Sequence, residues 1–394
     1  MDFDDTPQEA TFRQALRMWL ATSRLEGYDP HTFEQLDYDT RFAIQRNWQR
    51  KLHAAGWVGV NWPKEYGGRG ATIGEQAIYQ QEMGRVDMPG IANEVAVVVV
   101  GPAVIHWGTE EQKKRYIPTI LSADEIWCQG FSERNAGSDF ANVQTEAVVA
   151  GDDYVVNGQK VWTSFAAQAD LCMLIVRTDP QAPKHRGLSC LLVDMQTPGI
   201  TLKPLVQING DPEFSEMFLK DVRVPKENLL GQPGDGWQVA MTALTYERAS
   251  RAQAFHLEPI FQHMIAAAKQ VQIDDHAAID SATVRQKLAQ FHIEMQAIKL
   301  SEQRYLTRRL RGEQPGAETS ISKVAGSELN QRMAHFAMEM LGPYAQCAES
   351  SSQYPGSGFW SRLALTSRYY TISSGTSEVQ RNILGERMLG LPRG

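Results

Sequence analysis

The chain is poor in the features that announce most common chemistries. Its 394 residues include only four cysteines, Cys128, Cys172, Cys190 and Cys347, far apart and with no C-x-x-C pair. Such spacing supports neither a disulfide framework nor a thiolate zinc site, and it suits a reducing compartment. The nine histidines are scattered, with no partner at ligand spacing, so no metal site is expected. The longest apolar stretch, 95–105, is far too short to span a bilayer and contains Gly101-Pro102. The chain begins MDFDDTPQEATFRQ, acidic and polar, unlike a secretory signal or an Arg-rich transit peptide. Positive charge is in deficit, with 39 Lys and Arg against 46 Asp and Glu and a net charge of −7. That balance argues against nucleic acid or an anionic membrane as the main partner. Also missing are a G-x-G-x-x-G after a strand, a Walker lysine loop, H-E-x-x-H and a G-x-S-x-G elbow. What remains is a cytoplasmic protein without an obvious nucleotide, zinc or serine-hydrolase signature.

The composition is that of an ordinary globular protein, 42% hydrophobic and 22% charged, and the length suits two or three domains. Apolar residues at spacings of three and four predict helices over 8–25, 42–56 and 73–86, with a turn-rich connector, WPKEYGGRG, at 62–70. A buried helix over 93–107 is expected to be interrupted near Gly101-Pro102, and a short one follows at 109–121. From 126 to 232 the texture changes to short β-branched runs, at 147–150, 154–156, 171–176, 188–193 and 216–219, bounded by turn signals. Closely spaced strands without intervening helices predict an antiparallel sheet or small barrel. Helical periodicity returns at 237–271, 279–311, 317–341 and 376–388, with a polar loop at 342–358. The expected fold class is α+β: an N-terminal helical domain (1–125), a central antiparallel β-sheet or barrel domain (126–232) and a C-terminal four-helix-bundle domain (233–394).

Two stretches can carry chemistry. Residues 128–139, CQGFSERNAGSD, combine small and hydroxyl residues whose backbone N–H groups can cradle an anion or a polar ring edge. Taken alone, they read first as a polar loop entering the sheet. Residues 373–380, SSGTSEVQ, crowd N-cap candidates ahead of a helix, where an ordinary capped terminal helix is the plain alternative.

Together and in this order, these stretches resemble the acyl-CoA dehydrogenase family along nearly the whole chain. Residues 62–70 are similar to its W/V-P-E-x-Y-G-G-x-G connector, and 131–139 (FSERNAGSD) to its T-E-P-x-A-G-S-D loop. Residues 159–164 (QKVWTS) resemble its Q-K-x-W-I-T-N strand. Residues 214–225 (FSEMFLKDVRVP) resemble F-x-E-V-x-F-x-D-V-R-V-P, and 375–381 (GTSEVQR) resemble G-T-S-E-I-Q-R. The resemblance implies non-covalent FAD and an acyl-CoA thioester substrate. It also implies a tetramer, homomeric or built with a paralogous subunit, and an electron-transfer flavoprotein as acceptor. By the same match, Gln129, Phe131 and Ser132 would meet the flavin, and Ser138 would lie near flavin and pantetheine. Trp162, Thr163 and Ser164 would cover the other flavin face, and Thr376 and Glu378 would contact the diphosphate or adenine end. Arg134 stands where the family has proline.

The reaction pairs α-proton abstraction by a carboxylate with β-hydride loss to the flavin, under a polarised thioester carbonyl. Most members carry the glutamate base immediately before G-T-S; here that residue is Ser374, which has no usable proton affinity at neutral pH. With Gly375 it keeps only the backbone N–H on the substrate side. Residues 244–249, LTYERA, resemble the L-x-x-E-R segment of isovaleryl-CoA and long-chain acyl-CoA dehydrogenases, which implies Glu247 as the base and Arg248 beside the acyl-CoA. Trp237, Met241, Leu244 and Arg248 fall within about 60° of one another on a helix, an expected inward stripe with Glu247 on its flank. The plain alternative for Glu247 is a surface i,i+4 pair with Arg251. The family's R-x-x-F-G is absent from 269–281, and Glu339 replaces the glutamine of Q-x-x-G-G-x-G, so two inter-subunit FAD contacts are altered. The readings that follow are an FAD-dependent acyl-CoA dehydrogenase, a subunit of a heteromeric dehydrogenase with little activity alone, and a flavin oxidase or monooxygenase on the same scaffold.

Overall fold

The computed structural model describes residues 4–23, 25, 26, 28–33, 36–86, 88–250, 253–273, 275–313, 316–346 and 358–392, without the side chains of 30, 31, 248–250 and 253–255. In chain order the helices are α1 (Pro7–Thr22), α2 (Pro30–Phe33), α3 (Tyr38–Ala54), α4 (Ile73–Arg85), α5 (Gly101–Trp107) and α6 (Glu110–Ser122). The strands follow: β1 (Trp127–Gly130), β2 (Glu146–Ala150), β3 (Asp153–Ser164), β4 (Leu171–Arg177), β5 (Leu188–Asp194), β6 (Ile200–Leu205), β7 (Phe214–Pro225) and β8 (Leu229–Leu230). The rest is mainly helical, with α7 (Gly236–Ser250), α8 (Gln253–Gln270), α9 (Ala282–Leu310), α10 (Thr319–Leu341), α11 (Phe359–Tyr370) and α12 (Ser377–Ile383), and a two-stranded antiparallel pair, Gln272–Ile273 with His276–Ala277, between α8 and α9. The succession is therefore helical, sheet, helical.

Local chemistry sets the helix ends. Thr6, Thr72 and Thr109 each cap a helix in a reciprocal box with Glu9, Glu75 and Gln112. The break expected near Gly101-Pro102 is instead a π turn at Ala96–Val100 running directly into α5, so the chain stays helical. A π turn widens the backbone just ahead of a proline that lacks its N–H. Of the helix expected over 237–271, the described residues give α7 and α8, with 251–252 between them outside the described residues, and α11 lies where no element was expected. Of the expected loop 342–358, Gly342–Gln346 is a 3-10 turn and 347–357, including Cys347, lies outside the described residues.

Strands β1 to β8 form one sheet in the order β6-β7-β3-β2-β4-β5-β8, with β1 beside β4. It does not close into a barrel, and it departs from the antiparallel expectation in two places: β1 runs parallel to β4, and β2 touches β4 in parallel at Glu146. The intervening β2–β3 hairpin supplies the long crossover that a parallel pair needs. β4 and β5 are buried on both faces, which accounts for their continuous apolar runs.

The chain forms two compact units. One comprises 38–70 and 89–250, the other 1–37, 71–88 and 251–394. In the first, the sheet core of Cys128, Val156, Cys172, Leu174, Leu191 and Val222 is fully enclosed. In the second, Leu257, Met264, Met295, Leu329, Met333 and Trp360 fill the space among α8, α9, α10 and α11. Among the described residues, no helix is long and apolar enough to cross a membrane.

Candidate functional site

In the sheet unit, two stretches expected to meet a cofactor are tied to each other. Val161 N–H donates to the Ser132 carbonyl at 2.9 Å. The Lys160 ammonium, with no exposed surface, donates to the Phe131 carbonyl at 3.1 Å and to Glu133 at 2.8 Å. Glu133 also accepts from the backbone N–H groups of Gln144 and Thr145, at 2.7 and 2.9 Å. Burial pushes the Glu133 carboxyl up, but Lys160 and these donors outweigh it and hold it below its usual range. Burial also pulls Lys160 below its ordinary value, with Glu133 opposing the shift.

Strand β3 then presents alternating surfaces. Trp162 is 58% exposed and sits at φ 59°, a left-handed conformation that bulky residues avoid. Its ring meets Phe214 edge-on with centroids 5.9 Å apart. The strand irregularity between Lys160 and Thr163 turns that indole outward. Thr163 is fully buried opposite Ser215, and neither hydroxyl has a hydrogen-bond partner. Gln129 Oε1 on β1 is likewise buried and unpartnered. Ser164 is half-buried opposite Phe214, and Ser138 is exposed. An exposed indole held in a costly conformation, beside unsatisfied polar atoms, fits a planar heteroaromatic group with a polar edge. A row of rings not anticipated from sequence continues from Phe131 through Phe140 to Trp237 and His185, with successive centroids 5.4, 6.0 and 4.3 Å apart.

Helix α7 is rotated from the expected stripe by about 100°. Its buried face carries Ala240, Ala243 and Glu247, with Val239 beside them, whereas Trp237, Met241 and Leu244 are only half-buried. The reason is size. A Cβ at Gly236 would lie 2.6 Å from the β5 backbone, so α7 starts against that strand and small residues must face it. Glu247, 7% exposed, therefore lies in line with the buried face and not on its flank. Arg248 is on the same helix, but its side chain lies outside the described residues, as does Arg251.

In the helical unit, α11 is followed by Ser374 at φ 54° and Gly375 at φ 87°. Ser374 is half-buried, and its carbonyl accepts from Gln380 Nε2 at 3.0 Å. Thr376 caps α12 by accepting from Val379 N–H at 3.2 Å. Glu378 is exposed; its own backbone N–H and the Thr376 hydroxyl hold its carboxyl below the usual range. Glu339 is exposed in the last turn of α10.

Comparison with known proteins gives this arrangement its context. Residues 6–124, 128–222 and 234–389 match the models of the acyl-CoA dehydrogenase N-terminal, middle and C-terminal domains. The chain belongs to the acyl-CoA dehydrogenase family, whose members are FAD-dependent flavoproteins. It is 37% identical over 400 residues to acyl-CoA dehydrogenase IpdE1 of Mycolicibacterium smegmatis, covering 97% of each chain. Its fold matches a chain of the ChsE4-ChsE5 complex from Mycobacterium tuberculosis with a TM-score of 0.85 and 32% identity, covering both chains completely. It matches the Tcur3481-Tcur3483 steroid ACAD with the same TM-score, 29% identity and complete coverage.

Proposed function

We propose that this chain binds FAD and dehydrogenates an acyl-CoA thioester between its α and β carbons, with Glu247 as the base. The observation that carries the assignment is the burial of Glu247 on the close-packed face of α7, in a chain whose residue 374 is serine. A surface i,i+4 partner would be exposed and worth only a few tenths of a kcal/mol. A carboxylate kept out of water is suited to accept a carbon-bound proton.

Bound FAD would accept the β-hydride. The chain's own residues do the rest. Glu247 takes the α-proton on a carboxylate oxygen. The Ser374 N–H, next to Gly375, donates to the thioester oxygen and so acidifies the α-carbon. Phe131, Ser132, Trp162 and Ser164 would hold the ring, and Gln129 and Thr163 would offer their unpartnered polar atoms to its edge or to an ordered water. By the family match, Thr376 and Glu378 would meet the diphosphate and adenine end, and Ser138 and Arg248 would serve the acyl-CoA. An electron-transfer flavoprotein takes the electrons onward. A bulky, ring-bearing acyl group is favoured by the likeness to a steroid ACAD.

The test is anaerobic flavin bleaching by acyl-CoA thioesters. Glu247→Gln should retain FAD and thioester binding yet lose bleaching; activity within about tenfold of wild type would refute the assignment.

A second reading has its own support. One similar solved structure is the ChsE4-ChsE5 complex and another, the Tcur3481-Tcur3483 steroid ACAD, carries two component names, and this chain has the altered residues at 269–281 and Glu339. In that reading the chain works beside a paralogous subunit. Stoichiometric flavin and full turnover in the purified chain alone would sink it.

A further inference from the structure

The loop that carries Phe131, Ser132 and Ser138 contains a tight turn. Glu133 and Ala136 exchange two backbone hydrogen bonds, each 3.1 Å, leaving Arg134 and Asn135 as the central residues. Neither has a positive φ, which is the conformation whose first central position suits proline. The related T-E-P-x-A-G-S-D loop has proline at that position. Here the Arg134 side chain reaches β7 instead, placing Nε and a terminal nitrogen 2.7 and 2.6 Å from one oxygen of Glu216. The Glu216 carboxylate is almost fully buried and also accepts from Gln159 of β3.

We propose that Arg134 is a positioning residue: its latch onto Glu216 replaces the stiffness a proline would give the turn, and so holds the cofactor loop in its binding geometry. The inference rests on the flavin reading above. Two arguments carry it. First, the loop is pinned at two consecutive turn residues, at Glu133 by Lys160 and at Arg134 by Glu216, and both partners lie on strands next to the proposed ring site. Second, the two latches differ in kind. Lys160 is sealed from solvent, whereas the Arg134 side chain is 66% exposed. Salt therefore weakens the Arg134 latch and barely affects the other. A proline acts by removing disordered conformations and is indifferent to salt.

The experiment compares wild type, Arg134→Ala, Arg134→Pro and Arg134→Ala/Glu216→Gln. Amide exchange across 131–139 in flavin-free protein reads the latch, and FAD titration at low and high salt reads its purpose. Arg134→Ala should speed exchange and raise the FAD Kd about five- to tenfold. Arg134→Pro should restore both, because the turn's two hydrogen bonds are donated by Glu133 and Ala136 and a proline at 134 breaks neither. The double variant no longer buries an unpaired charge, so it should regain fold stability but not FAD affinity. Wild-type affinity should fall more steeply with salt than that of Arg134→Pro. The proposal is overturned if Arg134→Ala binds FAD within about twofold of wild type, if proline fails to rescue, or if the double variant recovers affinity along with stability. Unchanged exchange in Arg134→Ala removes the latch itself. A wild-type chain that binds no FAD at any salt removes the flavin reading, and the positioning role with it, even where the exchange data hold.

Discussion

The two compact units hold their proposed site residues by different means. In the sheet unit the work is ionic. Lys160 and Glu133 fix the start of the cofactor loop, Arg134 and Glu216 its turn, and Arg177 its end, by donating to the carbonyls of Ala141 and Val143 at 2.8 and 2.9 Å. In the helical unit the segment 373–377 is held by neutral groups. Gln380 donates to the Ser374 carbonyl and accepts from the Ser320 hydroxyl at 2.6 Å, while Ser377 N–H donates to the Thr371 carbonyl at 2.9 Å. A sheet loop has no ladder of its own, so side chains must supply its order. A segment between two helices inherits much of its order from their ends. Buried ionic anchors fail badly when one partner is lost, and neutral ones fail mildly.

The sharpest way to break this contrast is Lys160→Met. It leaves the Glu133 carboxylate without its ammonium partner in a mostly buried site. Removing one partner of a buried pair costs about 3–5 kcal/mol, and chemical denaturation should register a loss of that size. Lys160→Met/Glu133→Gln should recover more than half of it. A single-variant cost below about 1 kcal/mol would mean that water reaches the pair and that the loop is not ionically anchored.

The next effect is a pH dependence confined to the sheet unit. Burial pushes the Glu213 carboxyl up to about 7, and the nearby charges of Asp211 and Glu94 add to the shift, opposed by Gln207 and Arg41. Because the folded value lies above the unfolded one, the native state binds this proton more tightly. Its contribution is complete below about pH 4.5 and is lost as pH rises through 7. The ceiling is roughly 3 kcal/mol, and partial exposure of the residue lowers it to about 2. Glu213→Gln should flatten denaturation curves measured between pH 5 and 8. A variant that keeps the wild-type slope would assign the dependence to another group.

How far the sequence foretold this arrangement depends on what each residue must satisfy. The strands were legible at β4 and β5 because burial on both faces demands unbroken apolar runs, and turn residues marked their ends. β1 was not, because its four residues, WCQG, carry no period, and only its register against β4 defines it. The face of α7 was misread for a physical reason. Periodicity selected the large residues Trp237, Met241 and Leu244, whereas close approach at Gly236 requires small ones, so the buried face runs through Ala240 and Ala243 to Glu247. The motif around Lys160 was visible, but its role was not, since a lysine on a strand is ordinarily a solvated charge. Only the three-dimensional meeting with Glu133 and the Phe131 carbonyl gives it one. Likewise, Arg134 read as a lost proline until Glu216, 82 residues away, supplied its partner.

The smallest effect belongs to the helical unit and tests the neutral half of the contrast. Gln380 is buried, and its amide spans Ser374 and Ser320. Gln380→Ala removes both bonds and strands the Ser320 hydroxyl, but no charge is left unpaired, so the expected loss is about 1–2 kcal/mol. One of the two bonds is to the Ser374 carbonyl, next to Gly375 at φ 87°, in the stretch proposed to meet the thioester. Thioester affinity should therefore fall, and the stability loss should be the same at low and high salt and from pH 5 to 8. A loss approaching that of Lys160→Met, or one that varies with salt, would show that the two units are anchored by the same physics after all.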